Sequence, residues 1–324
     1  MTAEPRLDEI GAARARVAGV ALRSPLLPLH DPDAPGVWLK LENLQPTGSF
    51  KIRGATNLVE QLDRASIAQG LLTASAGNMG QAVAWSAQRL GVPCTVIVPD
   101  TAARNKTDAV ERYGGRVIRV SFDRWWQVFT EKRFDGVSGT FIHPFADQRV
   151  MDGNATIGLE IVEDLPDVDV VLIPWGGGGL ACGIAAAIRA TGHLCRIYAC
   201  EVKRAAPLEA SLAAGRPVAV EYERSFVDGI GAGTVMPEMF DLARELIDGA
   251  MVASVEEVEA AVTALFRRNR VVAEGAGACA VAIARSGRLD GRSIACVVSG
   301  GNIDAATLFE VISRHQEAGD AVPQ

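Results

Sequence analysis

The chain has 324 residues, 48% hydrophobic and 22% charged, with a formal net charge of -7 and an isoelectric point near 5.3. This is ordinary globular composition, with length for about two domains of roughly 150 residues each. An acidic balance leaves no electrostatic footprint for nucleic acid or an anionic membrane, and neither is expected as a partner.

The first twenty residues are charged throughout and lack the apolar centre of a signal peptide. No uninterrupted apolar stretch approaches the roughly 20 residues that span a bilayer. Six cysteines (Cys94, Cys182, Cys195, Cys200, Cys279 and Cys296) are scattered, mostly in apolar segments, with no C-x-x-C pair. Buried, reduced thiols fit that pattern better than a disulfide or zinc framework. A soluble cytoplasmic protein is the expectation.

In chain order, the first informative segment is LKLENLQPTGSFKIRGA, residues 39–55. A strand runs into a Pro-Thr-Gly turn, and a helix is expected from about Ser49, a suitable N-cap. Lys51 then falls in the first turn, near the positive end of the helix dipole. That position, with partial burial, favours a neutral amine, as imine chemistry requires. A lone lysine there is more often a solvated surface residue.

Residues 71–74 read as a short strand and 81–90 as a helix. Residues 94–98 form a strand ended by Pro99 and Asp100, 103–113 a helix stopped by two glycines, and 116–120 another strand. This βαβαβ order with short turns implies a right-handed parallel sheet. The small residues Ser75, Ala76, Gly77, Asn78 and Met79 between the first strand and helix offer backbone N–H groups to an anion, here a carboxylate. They equally suit a helix start capped by Ser75 or Asn78. Trp125 and Trp126 are expected to pack a helix face of this smaller unit rather than to form a binding platform. His143, before Pro144, reads as a structural hydrogen-bonder rather than a base.

The pattern restarts with a buried strand at 169–173, then Pro174 and Trp175, four glycines (Gly176, Gly177, Gly178 and Gly179) and an alanine-rich helix at 180–190. Bare backbone amides at a helix N-terminus suit a phosphate dianion without any Lys or Arg. The run is neither a Walker loop nor the dinucleotide G-x-G-x-x-G spacing. A plain flexible turn is the alternative, although four glycines are costly in backbone entropy. Residues 196–200 and 294–298 continue this second sheet. The latter strand closes on Ser299 before two glycines, where a hydroxyl can face a ring nitrogen or simply turn the chain. The tail after Glu317 is expected to fray.

LENLQPTGSFKIRGA, SAGN, GGGGL, EGAGA and VVSGGN occur in this order. Together they closely resemble the motifs of the serine/threonine dehydratases (ammonia-lyases), pyridoxal-phosphate enzymes of the tryptophan-synthase β fold. The resemblance covers nearly the whole chain; the cysteine-synthase branch reads differently around its lysine and phosphate loop. It implies an α/β protein of two parallel-sheet domains with flanking helices. The larger would comprise residues 1–70 with 144–324, and the smaller residues 71–143. No carboxy-terminal regulatory domain is expected, and a homodimer is the family default.

Carried over by position, the resemblance makes Lys51 the imine-forming residue and the base that removes the Cα proton, with Ser75 as its catalytic companion. Phe50 would pack near the cofactor ring, Asn78 would bond its 3-oxygen, and Gly176 to Gly179 would hold the phosphate. Ser299 would face the ring nitrogen, and Glu274 in EGAGA matches a family acid near the pocket. Ser75, Ala76, Gly77, Asn78 and Met79 would seat the substrate carboxylate. A hydroxyl at Ser299 cannot hold the nitrogen protonated as a carboxylate would. The ring is then a weaker electron sink, and β-hydroxide should leave soon after the proton.

The implied activity is β-elimination from a small β-hydroxy amino acid such as L-threonine or L-serine, giving a 2-oxo acid and ammonia. Racemisation and β-replacement are the alternatives, and a non-catalytic ligand sensor a more distant one. Related racemases carry a serine as second base where this chain has Ala76, which cannot move a proton. Met79 replaces a common histidine, and Trp175 is bulkier than the usual aliphatic residue. Glu201 matches one acid of a cation site found in some relatives, but Pro207 stands at the later acidic position, so no metal is expected. Substrate binding is expected to swing the smaller domain shut.

Overall fold

A computed structural model describes residues 7–75, 77–102 and 104–315. Ala76 and the carboxy-terminal tail therefore lie outside the described residues. Among the described residues ten strands form two sheets: β1 (Leu26–Pro28), β2 (Val37–Leu41), β3 (Leu71–Ala74), β4 (Cys94–Pro99), β5 (Arg116–Val120), β6 (Thr140–Phe141), β7 (Val170–Pro174), β8 (Arg196–Val202), β9 (Gly249–Ala253) and β10 (Ile294–Val298). The six-stranded sheet runs β1-β2-β10-β7-β8-β9 and the four-stranded sheet β5-β4-β3-β6. All pairings are parallel except that of β1 with β2 at one edge. β7 (VVLIP) and β10 (IACVV) are buried along their whole length. A parallel strand covered by helices on both faces demands such a continuous apolar run.

The last strand is the central one for function. β10 inserts between β2 and β7, pairing Cys296 with both Leu39 and Leu172. Three neighbouring strands therefore end side by side. β2 leads to Lys51, β10 to Ser299, and β7 to the four glycines. Ligands of open α/β sheets gather at such carboxyl ends.

The helix after the glycines, Gly179–Ala190, packs against the long helix Gln148–Asp164. A Cβ on Gly183 would come within 2.5 Å of the Met151 carbonyl oxygen, so the small residue permits the close approach. The expected element order holds, with boundaries shifted by up to three residues. One local expectation fails. The lysine helix spans Lys51–Val59 with Phe50 at its N-cap, and no side chain caps it. Ser49 instead bridges Gly300 in extended geometry, and its buried Oγ has no partner among the described residues. Pairing with the strand end from β10 overrides the local capping preference of serine.

Candidate active site

A cleft of about 750 Å³ lies between the two sheets. Phe50, Lys51, Ser75, Gly77, Asn78, Met79, Gly176 to Gly179, Glu274 and Ser299 all line it. Motifs separated by as much as 250 residues thus meet in one place, and Phe50 N–H donates to the Ser299 carbonyl at 3.0 Å. Every site residue expected from the sequence lines this cleft, except Ala76, which is not described.

Lys51 is the first residue of its helix. Its Nζ donates to the Pro144 carbonyl at 2.8 Å and lies 4.9 Å from the centre of the Phe50 ring. Burial lowers the amine to about 8, against a smaller opposing pull from the charge of Glu274. The amine is therefore partly neutral near neutral pH.

Asn78 opens the helix Asn78–Leu90 with Gly77 as N-cap, and neither Ser75 nor Asn78 is the capping side chain. The Asn78 amide is fixed from both ends: Nδ2 donates to Glu274 Oε1 at 2.7 Å, and Oδ1 accepts from Asn302 Nδ2 at 2.8 Å. Burial raises the Glu274 carboxyl to about 7, with the Asn78 hydrogen bond opposing it. Ser75 Oγ accepts a long 3.4 Å contact from Gly77 N–H.

The amides of Gly176, Gly177, Gly178 and Gly179 find no backbone acceptor among the described residues, as expected of a helix N-terminus that receives an anion. The loop has no room for side chains. A Cβ on Gly177 would overlap the Phe145 ring, and Gly178, at φ +89°, would meet Trp175 at 2.5 Å. Trp175 is buried beneath the loop rather than lining the cleft, which explains the tolerance for its bulk.

Behind Lys51 lies a buried ion cluster. Arg53 bonds Glu42 through Nε and Nη2, both at 2.8 Å, and Glu160 at 2.7 and 2.9 Å. Lys40 reaches Glu160 at 2.6 Å. Two cations balance two anions, and together they tie the lysine helix to the large sheet and the helix Gln148–Asp164. His143 accepts from Ala146 N–H through Nδ1 at 2.8 Å, and burial lowers its imidazole to about 4. It serves as a neutral turn-former.

Glu201 is spent locally, accepting from the amides of Leu208 and Glu209 at 2.9 and 2.8 Å at the start of the helix Pro207–Ala214. Among the described residues no group of three or more His, Cys, Asp and Glu side chains converges as a metal site would require, and no helix is long and apolar enough to cross a membrane. All six cysteines are buried thiols.

Trp125 and Trp126 go beyond their expected packing role. Both line the cleft, with Phe122 and Phe129 of the same helix, Phe122–Glu131. The residues Phe122, Trp125, Trp126 and Phe129 fall at one-turn spacing, a signal of a shared face. Nothing in the sequence says that this face meets a cavity.

A neutralisable amine, an acceptor-free glycine loop and a hydroxyl closing a strand together define a site fit for pyridoxal phosphate. Comparison with known proteins agrees. The family described as pyridoxal-phosphate dependent enzyme matches residues 18–300. The L-threonine ammonia-lyase of Geobacter sulfurreducens is 41% identical over 283 residues, covering 86% of this chain and 70% of that protein. The solved structure of maize serine racemase superposes with a TM-score of 0.88 at 30% identity, covering 97% of this chain and 98% of that one. The processed threonine deaminase isoform 2 from Solanum lycopersicum superposes at 0.83 with 31% identity, covering 97% and 95%. The chain belongs to the serine/threonine dehydratase family of pyridoxal-phosphate enzymes. Pyridoxal phosphate is its cofactor and an amino acid its class of substrate.

Proposed function

We propose that the protein removes water and then ammonia from a small β-hydroxy amino acid, L-threonine or L-serine, to give a 2-oxo acid. The observation that carries this reading is the buried Lys51 amine, lowered to about 8, in one cleft with the glycine loop and Ser299. The activity named for the Geobacter sulfurreducens relative supports it.

When bound, pyridoxal phosphate supplies an electron-withdrawing ring that acidifies the Cα–H of an attached amino acid. Lys51 would hold the cofactor through Nζ and later take the Cα proton at the same atom. The amides of Gly176 to Gly179 would bind the phosphate. One N–H of Asn78 is engaged by Glu274, and the other is the donor we assign to the ring oxygen. Phe50 would pack beside the ring. Ser299 would meet the ring nitrogen with a hydroxyl, leaving it without a charged partner. Ser75, Gly77 and Met79 would seat the substrate carboxylate, with Ser75 closest in kind to a catalytic hydroxyl.

The test is 2-oxo acid release from serine and threonine enantiomers, with the Lys51→Ala protein as blank. Loss of the amine should lower turnover by about 10²- to 10⁴-fold or more, and unchanged turnover would refute the assignment. Racemisation is the second reading, favoured by the likeness to the maize serine racemase. Interconversion of L- and D-serine followed by circular dichroism separates the two, and Ala76, which has no proton to exchange, argues for elimination.

A further inference from the structure

One wall of the cleft is lined by aromatic side chains. Phe122, Trp125, Trp126 and Phe129 form a continuous aromatic stripe. Ring centres lie 5.7 Å apart for Phe122 and Trp125, 5.7 Å for Trp125 and Phe129, and 5.4 Å for the stacked pair Trp126 and Phe129. Phe129 then reaches Phe145 at 5.7 Å. Phe145 follows Pro144, whose carbonyl holds Lys51 Nζ. The stripe therefore runs outward from the reacting end of the site.

The helix anchors itself through Val128 and Phe129, which are buried against Leu72, Ala74 and Ile97 of the small sheet. Phe122 and Trp126 take little part in that packing, being 59% and 43% exposed. Leaving large aromatic side chains this far in water forgoes part of the hydrophobic stabilisation their burial would give. Two of them on one cleft wall make an apolar surface that a ligand can cover. The cleft volume, about 750 Å³, is in the upper part of the ~300–1,000 Å³ range of small-molecule pockets.

We propose that this wall receives an aryl group on Cβ, so that the substrate class extends to β-aryl-β-hydroxy-α-amino acids, with 3-phenylserine as the simplest member. The inference rests on the elimination reading above. The balance is the same: the Cα–H and Cβ–O bonds break and water leaves. The resulting enamine takes a proton at Cβ, and water then hydrolyses the imine to release ammonium. Phenylserine thus gives phenylpyruvate and ammonium without an external oxidant or reductant.

The experiment compares ammonium and 2-oxo acid release from L-serine, L-threonine and the two diastereomers of L-phenylserine, using the cofactor-loaded enzyme. One phenylserine diastereomer should exceed L-threonine in kcat/KM by about tenfold, and Trp126→Ala or Phe122→Ala should each narrow that ratio on the order of tenfold. Both positions are exposed, so the variants should fold. A separate readout is the shift of the cofactor absorption band on adding L-phenylalanine or L-alanine, neither of which has a hydroxyl to lose. Tighter binding of L-phenylalanine, weakened in the variants, supports the aryl site. Turnover of threonine with phenylserine untouched overturns the aryl proposal and leaves the elimination reading standing. Ammonium from none of the four, with L-phenylalanine still preferred and that preference lost in the variants, removes the elimination reading and keeps the aromatic site.

Discussion

Asn78 Nδ2 donates to Glu274 Oε1 at 2.7 Å, a bond joining the helix that follows β3 of the small sheet to the N-cap of the helix Gly275–Arg285, which packs on the large sheet. Asn302 holds the other end of the same amide, so protein partners on both sides fix its orientation. Glu274→Ala removes the acceptor and frees the amide to turn. Cofactor affinity should fall on the order of tenfold, the scale of one lost hydrogen bond to a charged group. Glu274→Gln can still accept through its side-chain oxygen and should retain most of that affinity. Cofactor titration of the apo-proteins, followed by absorbance, checks both, and equal losses in the two variants would refute an orienting role.

The same carboxylate acts on Lys51. Its charge favours the protonated amine, opposing the burial that brings Lys51 to about 8. Only the neutral amine attacks an aldehyde. The rate of cofactor uptake by apo-protein should therefore rise about tenfold per pH unit and level off above pH 8. With Glu274→Gln the charge is gone, so the bend should move to lower pH. Linkage has the matching sign. Lys51 is lowered from 10.5, so its contribution to apo-protein stability is present above that value and lost as pH falls through about 8. Stopped-flow uptake across pH 6–10 measures the bend; a flat profile would refute a role for the neutral amine.

Much of this site was legible in short motifs because local chemistry dictates them. Four glycines after a buried strand announce a loop of bare amides at a helix start, and Lys51 after a Pro-Thr-Gly turn announces a helix start. The meeting of these parts was not legible from local pattern alone. β10 enters between β2 and β7 after some 250 residues, and only that insertion puts Ser299 beside Phe50. The same long-range pairing pulled Ser49 out of its expected capping role. The aromatic helix shows the other gap. Its spacing reveals which side chains share a face, whereas the cavity beside it comes from the packing of two sheets.

Gly178 supplies a test of the loop. Its φ of +89° is outside the range comfortable for an L side chain, and a Cβ would stand 2.5 Å from the buried Trp175 ring. Gly178→Ala should cost about 1–3 kcal/mol of stability from backbone strain and overpacking. Cofactor affinity should also drop, because the neighbouring amides move off their common focus. Urea unfolding of the apo-protein isolates the first effect and titration the second. A stable variant with normal affinity would show that the loop is not the phosphate cradle.

Arg53 ties the lysine helix to the large sheet without lining the cleft. It is 1% exposed and carries four hydrogen bonds to Glu42 and Glu160. Replacing it with methionine leaves two buried carboxylates facing Lys40 alone. The expected loss is about 3–5 kcal/mol, the usual scale for breaking a buried pair from one side. Arg53→Lys should recover only part of this, since one ammonium cannot bridge both carboxylates in the planar fork geometry. Burial works to raise Glu160, but Arg53 and Lys40 outweigh it and hold the carboxyl below its ordinary 4.5. Its contribution is therefore full above that value and disappears as pH falls through the lower folded-state pKa. Urea midpoints of the parent and of Arg53→Met, measured from pH 7 to pH 3, should converge toward the acid end. A constant gap would mean that Arg53 stabilises by packing its stem rather than by charge.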